Sequence, residues 1–124
     1  MKRLLIPILS LMILGCGAIK VYPGPERPRD QIAVLEIGNV ILYTVDEEGV
    51  RPGRGAKLQI LPGEHMIRGS IKMEGYNPVP ITYTFTAEAG HAYLFGADYQ
   101  IERQLSWRPW IKDAATGTIV GSWK

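Results

Sequence analysis

Regular alternation of apolar and polar side chains is the feature of this 124-residue chain that most restricts its fold. In "HMIRGSIKM" an apolar or small set of residues alternates with a polar set: Ile67, Gly69, Ile71 and Met73 against Arg68, Ser70 and Lys72. The stretch "ITYTFTA" repeats the pattern with threonines as the polar set. A period of two is that of a β-strand, because successive side chains of a strand point to opposite faces. Both stretches are therefore predicted to be strands with one buried face and one solvent-facing face.

Alternating or short apolar runs, bounded by Gly, Pro, Asp and Asn, recur along the chain from position 31 onward. They predict eight strands, over residues 32–37, 40–45, 57–61, 65–73, 81–87, 91–101, 107–112 and 118–123. No segment of helix length carries an apolar stripe with a 3.6-residue period. We therefore predict an all-β domain over residues 31–124, a single small antiparallel β-sandwich of about seven to eight strands.

The chain begins with the layout of a secretory signal peptide. Two basic residues precede an almost continuous apolar run over residues 4–14, and a glycine stands just before Cys16. The run is shorter than the roughly 20 apolar residues that span a bilayer core, and a proline interrupts it. Residues 1–15 are therefore predicted to be a cleaved leader and not a permanent transmembrane helix.

The stretch "ILGC" resembles the lipobox of bacterial lipoproteins. In that family the cysteine receives a diacylglycerol, the leader is removed just before it, and the new amino terminus is acylated. The resemblance implies that Cys16, the single cysteine of the chain, carries a lipid anchor; an ordinary buried or reactive cysteine is the alternative. Gly17 stands where an aspartate would signal inner-membrane retention, which implies the periplasmic face of the outer membrane in a Gram-negative host. Two or three acyl chains on one residue make attachment stable.

Residues 16–30 include the proline-rich stretch "VYPGPERPRD". Proline lacks a backbone N–H and has a fixed φ, so this composition disfavours a helix or a central strand. We predict that residues 16–30 form a short, extended tether between the lipidated cysteine and the domain. A tether of this length holds the domain close to the membrane.

A Pro-Gly turn feeding an alternating strand, "LPGEHMIRGSIKMEGY", resembles the centre of a PEGA-type β-sandwich module. The stretches "VYPGPERPRDQIAVLE" and "FTAEAGHAYLF" are similar to those of small bacterial lipoproteins. The resemblance implies a β-sandwich fold, and it carries no catalytic residues to transfer to this chain.

Charge argues against a nucleic-acid partner. Two of the 14 basic residues lie in the leader, which leaves 12 to balance the 12 acidic ones. A nearly neutral domain without a block of basic residues has no surface that would neutralise a row of phosphates.

Motifs for catalysis or cofactor binding are absent from the sequence. "GVRPGRGAKL" lacks the glycine before and the hydroxyl residue after Lys57 that a phosphate loop needs, and no serine lies in a Gly-x-Ser-x-Gly elbow. The acidic residues 46–48 in "VDEEGV" are predicted to form a solvated hairpin turn, because a catalytic acid pair must converge from separate elements. We therefore predict a protein that is not an enzyme.

Two histidines stand beside turns, His65 in "PGEH" and His91 in "EAGH". With Glu64 or Glu88 they form a weak candidate for metal binding, since no compact ligand motif is present. The alternative is that each histidine opens a strand and hydrogen-bonds its own turn. We predict no metal and no cofactor.

Three tryptophans, Trp107, Trp110 and Trp123, are the candidate binding residues. Trp107 and Trp110 are three positions apart and so face opposite sides of a regular strand, unless Pro109 disturbs it. Tryptophan stacks on sugar rings or anchors protein partners when exposed, and otherwise packs in the core.

Together these features predict a lipid-anchored envelope protein with a non-catalytic binding or structural role. Its expected partners are the membrane, through the anchor, and an envelope protein or a glycan. Carbohydrate or peptidoglycan recognition by the tryptophans is the first alternative, and a metal-assisted hydrolase using the histidines is the second.

Overall fold

The computed structural model describes residues 18–50, 52–53, 55–76 and 78–124. These residues form eleven strands: β1 Ala18–Lys20, β2 Ala33–Ile37, β3 Ile41–Val45, β4 Glu48–Gly49, β5 Lys57–Ile60, β6 Gly63–Ser70, β7 Ile81–Ala87, β8 Ala92–Ile101, β9 Leu105–Asp113, β10 Ile119–Val120 and β11 Ser122–Trp123. A single 3₁₀ turn spans Arg29–Gln31. Within the described ranges, no helix is long and apolar enough to cross a membrane.

The strands form two sheets. The first sheet has the order β1-β5-β2-β8-β9-β10, and the second has the order β11-β7-β6-β3-β4. Neighbouring strands are antiparallel except for β1 with β5 and β2 with β8, which are parallel. The predicted all-β sandwich is confirmed. The two parallel pairs were not predicted, because they join strands that are separated by long stretches of chain.

The core lies between the two sheets. One continuous buried cluster takes side chains from the first sheet and from the second: Leu35, Phe95 and Ile111 from the former, and Leu42, Ile67, Tyr83 and Phe85 from the latter. Side chains at alternate positions of each strand point into this layer, as expected for two sheets packed face to face.

Strand β6 tests the alternation predicted for residues 65–73. Ile67 and Gly69 are buried and Arg68 is exposed, as predicted. The strand ends at Ser70, however, and this residue, predicted to face solvent, is only 1% exposed. Its hydroxyl donates a hydrogen bond to the Pro78 carbonyl at 3.3 Å, because the chain after Ser70 folds back over it. Ile71 remains buried although it lies beyond the strand.

Residues 118–123, predicted to be one strand, are divided between the two sheets. Val120 pairs with Ile111 in the first sheet, whereas Ser122 pairs with Thr84 in the second. Gly121 makes the crossing with φ at +75°, a region that side chains with a Cβ rarely adopt. The chain passes so close to β7 that an added Cβ would overlap the Thr84 carbonyl oxygen.

Tyr83 links the two sheets beside this crossing. Its hydroxyl donates to the Val120 carbonyl at 2.5 Å and accepts from the Ile111 N–H at 3.3 Å. Burial raises the pKa of Tyr83, so the phenol keeps the proton that it donates. The two hydrogen bonds offset the cost of desolvating the buried hydroxyl and so stabilise the crossing.

Strand β9 passes through Pro109 without losing its alternation. Pro109 lies opposite Ala97, whose backbone N–H and C=O are both bonded to the Asn39 side chain at 2.9 Å. The backbone polar groups of Ala97 therefore point away from β9. The pairing of β9 with β8 needs no N–H donor at position 109, so a proline fits there. The Asn39 amide extends the β2 ladder beyond its last residue.

The N-terminal segment, residues 18–32, packs against the sandwich although an extended tether is predicted for residues 16–30. β1 pairs with the edge of β5, and Val21 continues the ladder by donating to the Gln59 carbonyl at 3.0 Å. The buried Tyr22 ring then brings the chain across the first sheet, where its hydroxyl accepts a hydrogen bond from the Arg27 N–H. Unpaired backbone groups at a sheet edge and an apolar ring account for this docking. Cys16 and Gly17 lie outside the described residues.

Candidate binding groove

Two of the three tryptophans converge in one groove. Trp107 of β9 and Trp123 of β11 line it together with Tyr76 and Val79 of the loop before β7. The groove has a volume of about 710 Å³. We call it the aromatic groove. It lies where the edge of the second sheet meets the β8–β9 hairpin.

The strands position the two rings from opposite sheets. Trp107 shares the inward face of β9 with Leu105 and Ile111, and it packs against the core as a partly buried side chain. Trp123 is placed by its pairing with Tyr83 at the outer edge of the second sheet. The crossing of the chain at Gly121 therefore brings Trp123 to the side of the sandwich that Trp107 occupies.

Three exposed apolar side chains line the groove. Val79 is 77% exposed and Trp123 is 44% exposed, and both lie beside the partly exposed Tyr76. Single exposed apolar residues are ordinary, whereas a contiguous set along a shallow groove is typical of a place where a partner binds.

Polar groups also line the aromatic groove. Arg103 and Gln104 come from the β8–β9 turn, and Ser106 follows them in β9. Their guanidinium, amide and hydroxyl groups are hydrogen-bond donors next to aromatic rings. Such a combination suits a ligand with both apolar faces and hydrogen-bonding edges.

Trp110 lies on the other face of the first sheet, as its spacing from Trp107 predicts. Its ring covers Gly96, where an added Cβ would lie 2.7 Å from ring atom Cζ2. The indole N–H donates to Asp98 Oδ1 at 3.2 Å, and the Lys112 ammonium lies 4.1 Å from the ring centroid. Trp110 therefore lies outside the aromatic groove, because its ring is held on the opposite face of the first sheet.

Sequence reasoning did not select Tyr76, Val79 or Arg103. The stretch around Val79 carried a signal, since a valine between Pro78 and Pro80 does not fit a strand pattern. That signal is weak without the fold, because it does not tell where the loop lies relative to β9 and β11.

His65 is held by the turn between β3 and β4. Asp46 and Glu47 form this two-residue turn with φ values of 51° and 71°, as in a type I′ hairpin, which matches the predicted solvated turn. Asp46 Oδ2 lies 2.6 Å from His65 Nδ1, and His65 Nε2 lies 2.6 Å from the Leu61 carbonyl oxygen. Met66 N–H also donates to Asp46 Oδ1. His65 thus fastens two turns together.

His91 forms a second histidine–carboxylate pair at the start of β8. Its Nδ1 lies 2.8 Å from Asp113 Oδ2, and its Nε2 lies 3.3 Å from Glu88 Oε2. The hydrogen bond with Asp113 raises the pKa of His91, and the same bond lowers the pKa of Asp113. Asp113 also accepts from the Ala115 N–H, which fixes the turn after β9.

The two histidines do not meet, since each is bonded to a different turn. In the part of the chain that the structure describes, no group of three or more His, Cys, Asp or Glu side chains is arranged to hold a metal ion. Both histidines instead hydrogen-bond turns, which is the alternative to metal binding given above.

The pair of His91 and Asp113 predicts a pH-dependent contribution to stability. Because the pKa of His91 is raised above its ordinary value of 6.5, the pair adds its full stabilisation to the folded state below that pH. This stabilisation is lost as pH rises through the folded-state pKa of His91. Because the pKa of Asp113 is lowered from 3.8, the contribution is also lost as pH falls through its folded-state pKa. We expect His91→Gln to lose stability relative to wild type at about pH 5 and to match it at about pH 9, by denaturant unfolding.

Asp113→Asn is the matched variant, since an amide oxygen still accepts from Ala115 and only the ionic bond is removed. The double variant should lose no more than either single variant at the lower pH, because both changes remove one interaction. Parallel pH profiles for wild type and His91→Gln would contradict the assignment.

Comparison of the chain with protein-family models, with curated proteins and with solved structures finds no match. The class that the observed architecture defines is a small, two-sheet, all-β domain. Function is therefore inferred from the aromatic groove and from the sequence that precedes the fold.

Proposed function

We propose that this chain is a lipid-anchored, non-catalytic binding protein of the bacterial cell envelope, and that it binds its partner in the aromatic groove. The observation that carries the proposal is the convergence of Trp107 and Trp123 from different sheets beside the exposed Val79. Aromatic and apolar side chains that lie together on an exposed surface are the usual centre of an interface.

The anchor is supported by the leader pattern. β1 starts at Ala18, two residues after Cys16, and two residues reach at most about 7 Å. A lipid on Cys16 would hold the sandwich directly against the bilayer surface. The distance from the bilayer to the domain is then shorter than if residues 16–30 formed the predicted extended tether. Gly17 supports sorting to the periplasmic face of the outer membrane in a Gram-negative host.

The test of the anchor is Cys16→Ser in the full chain. We expect loss of fatty-acid labelling and accumulation of an uncleaved precursor, because serine has no thiol to accept the diacylglycerol. Gly17→Asp is a separate test, and it should move the labelled protein to the inner membrane on a density gradient. Wild-type protein that stays in the membrane fraction without label on Cys16 would disprove lipidation.

A glycan is the second candidate partner, and the groove lining favours it specifically. Trp107 and Trp123 offer ring faces for stacking on sugars, and Arg103, Gln104 and Ser106 offer donors for hydroxyl and acetamido groups. In the envelope, peptidoglycan strands have this chemistry. The primary candidate, an envelope protein, would use the same aromatic anchors.

One pair of variants tests the groove and separates the two partners. Trp123→Ala removes a half-exposed ring from the groove, whereas Trp110→Ala removes a ring from the opposite face and serves as the control. We expect Trp123→Ala to weaken binding by about tenfold or more, the effect of losing an interface anchor. Detergent-solubilised protein is offered peptidoglycan fragments and, separately, envelope proteins. Equal loss in both variants would place the binding site elsewhere.

Neither a hydrolase nor nucleic-acid binding is proposed. The two histidines are bonded to separate turns, at Asp46 and at Asp113, and no described residues converge on them as a metal site. The mature chain has equal numbers of acidic and basic residues, which gives phosphates no basic surface.

A further inference from the structure

A second cavity, of about 380 Å³, lies between the N-terminal segment and the outer face of the first sheet. We call it the N-terminal pocket. Its apolar lining comes from Ile32, Val34, Ala92 and Leu94. No residue that lines it also lines the aromatic groove, so the two sites are separate.

The apolar lining is unusual for the outward face of a sandwich. In β2, Ala33, Leu35 and Ile37 are buried in the core, so Val34 points away from it. The parallel pairing of β2 with β8 sets Val34 beside Ala92. Outward positions of a sheet with one solvated face are normally polar. An apolar patch here, covered only in part by the N-terminal segment, leaves room for an apolar ligand.

Charged and polar groups surround this apolar lining. Exposed Arg27, Arg29 and Lys57 outnumber Glu26 and Glu36 among the lining residues. Lys57 lies opposite Glu36 in register, and Arg29 donates to the Ile32 and His91 carbonyls. Because Arg27 belongs to the N-terminal segment that covers the pocket, its guanidinium is the cation that we assign to the ligand head.

Gln59 adds a neutral polar group to the pocket. It lines the cavity although it is only 8% exposed, and its amide can both donate and accept hydrogen bonds. An apolar chamber with a net positive lining and a buried amide is complementary to an amphiphile that has one hydrocarbon chain and an anionic head.

The N-terminal pocket also lies at the end of the described chain that is nearest to Cys16. Ala18, two residues after Cys16, forms part of its wall. If Cys16 is lipidated, which rests on the proposed function, the pocket opens within about 7 Å of chain from the anchored residue. Free fatty acid partitions into the bilayer surface, so this is where the ligand is concentrated.

From this placement we propose that the N-terminal pocket binds a fatty acid, with its acyl chain against Val34 and Leu94 and its carboxylate beside Arg27. Binding is non-covalent, and the pocket exchanges the ligand with the membrane. The apolar lining accounts for affinity by burial of the chain, and the guanidinium accounts for the choice of an anionic head.

The experiment uses the full chain reconstituted in phospholipid nanodiscs and a photoreactive palmitate. After irradiation, mass spectrometry maps the labelled peptides and also reports whether Cys16 is acylated. We expect label on the peptides that contain Val34 and Leu94. Unlabelled palmitate should suppress it, whereas hexadecyltrimethylammonium, with the same chain length and a cationic head, should not.

Variants test the head-group contact without disturbing the core. Arg27→Glu reverses an exposed charge at the pocket and should reduce labelling by about tenfold. Arg68→Glu reverses an exposed charge on the second sheet and should leave labelling unchanged. Because the label is first measured on wild-type protein, the test does not depend on a variant that folds poorly.

Two outcomes would overturn the inference. One is equal competition by the cationic amphiphile, and the other is label spread over exposed apolar residues such as Ile19 and Met66. Failure of the anchor is distinguishable from both. In a Cys16→Ser chain that is given the photoreactive palmitate in solution, the Val34 and Leu94 peptides are still labelled if the pocket itself holds the ligand.

Discussion

Gly121→Ala is expected to reduce the free energy of unfolding by roughly 2 to 5 kcal/mol. The left-handed φ of +75° costs a residue with a Cβ about 1 to 2 kcal/mol. The added methyl would also overlap the Thr84 carbonyl oxygen and lie 2.7 Å from Phe85 Cβ, and overpacking costs about 1 to 3 kcal/mol more. The Thr84 backbone has little freedom to move, because it is paired with β11 and with β6.

Gly117→Ala is a matched control for this substitution. Gly117 has a φ of +74°, and an added Cβ would meet no atom within 4 Å. It should therefore lose only the conformational term, about 1 to 2 kcal/mol. Denaturant unfolding of both variants measures the difference, which isolates the steric cost of the crossing. Equal losses would show that the chain passes β7 at a greater distance than the structure gives.

Phe95→Ala should destabilise the sandwich by about 3 to 5 kcal/mol. The ring is fully buried at the centre of β8 and packs against Tyr83 of the opposite sheet, with ring centroids 6.4 Å apart. It also lies over Gly69, where an added Cβ would stand 3.1 Å from ring atom Cε2. Removing the ring leaves a cavity between two sheets whose backbones are fixed by their ladders, so the core cannot close around it. A domain with a typical stability of about 5 to 15 kcal/mol would be near its unfolding limit.

Tyr99→Ala removes an aromatic ring of similar size from the same strand. Tyr99 is 50% exposed near the end of β8, so its loss should cost about 1 kcal/mol or less. Thermal or denaturant unfolding compares the two variants. A loss in Phe95→Ala no larger than that in Tyr99→Ala would mean that the two sheets do not share the core described above.

The two tryptophans of the aromatic groove show where sequence reasoning stops. Alternation predicted that Trp107 and Trp110 lie on opposite faces, and the structure agrees because Pro109 occupies a position where β8 requires no N–H. No local pattern predicted that Trp123 and Trp107 line the same groove. It depends on the crossing at Gly121, which moves the end of the chain from the first sheet to the edge of the second.

For a strand with regular alternation such as β7, both its existence and its buried face were determined by the sequence alone. Residues 81–87 form β7 with the predicted bounds, and Tyr83 and Phe85 point inward, because a period of two is a local property of the chain. The sequence also contains the predicted leader and Cys16. Lipidation of Cys16 is inferred from the order of basic residues, apolar run and cysteine, and it stays a prediction.

Only the tertiary structure decided which strands are neighbours. The parallel pairing of β2 with β8, the docking of β1 on β5 and the burial of Ser70 each join residues that no local pattern relates. Backbone hydrogen bonds of a strand are the same for every partner, so the choice depends on which apolar faces and sheet edges remain uncovered when the whole chain packs. Both proposed sites are products of that choice: the aromatic groove needs β9 beside β11, and the N-terminal pocket needs β2 beside β8.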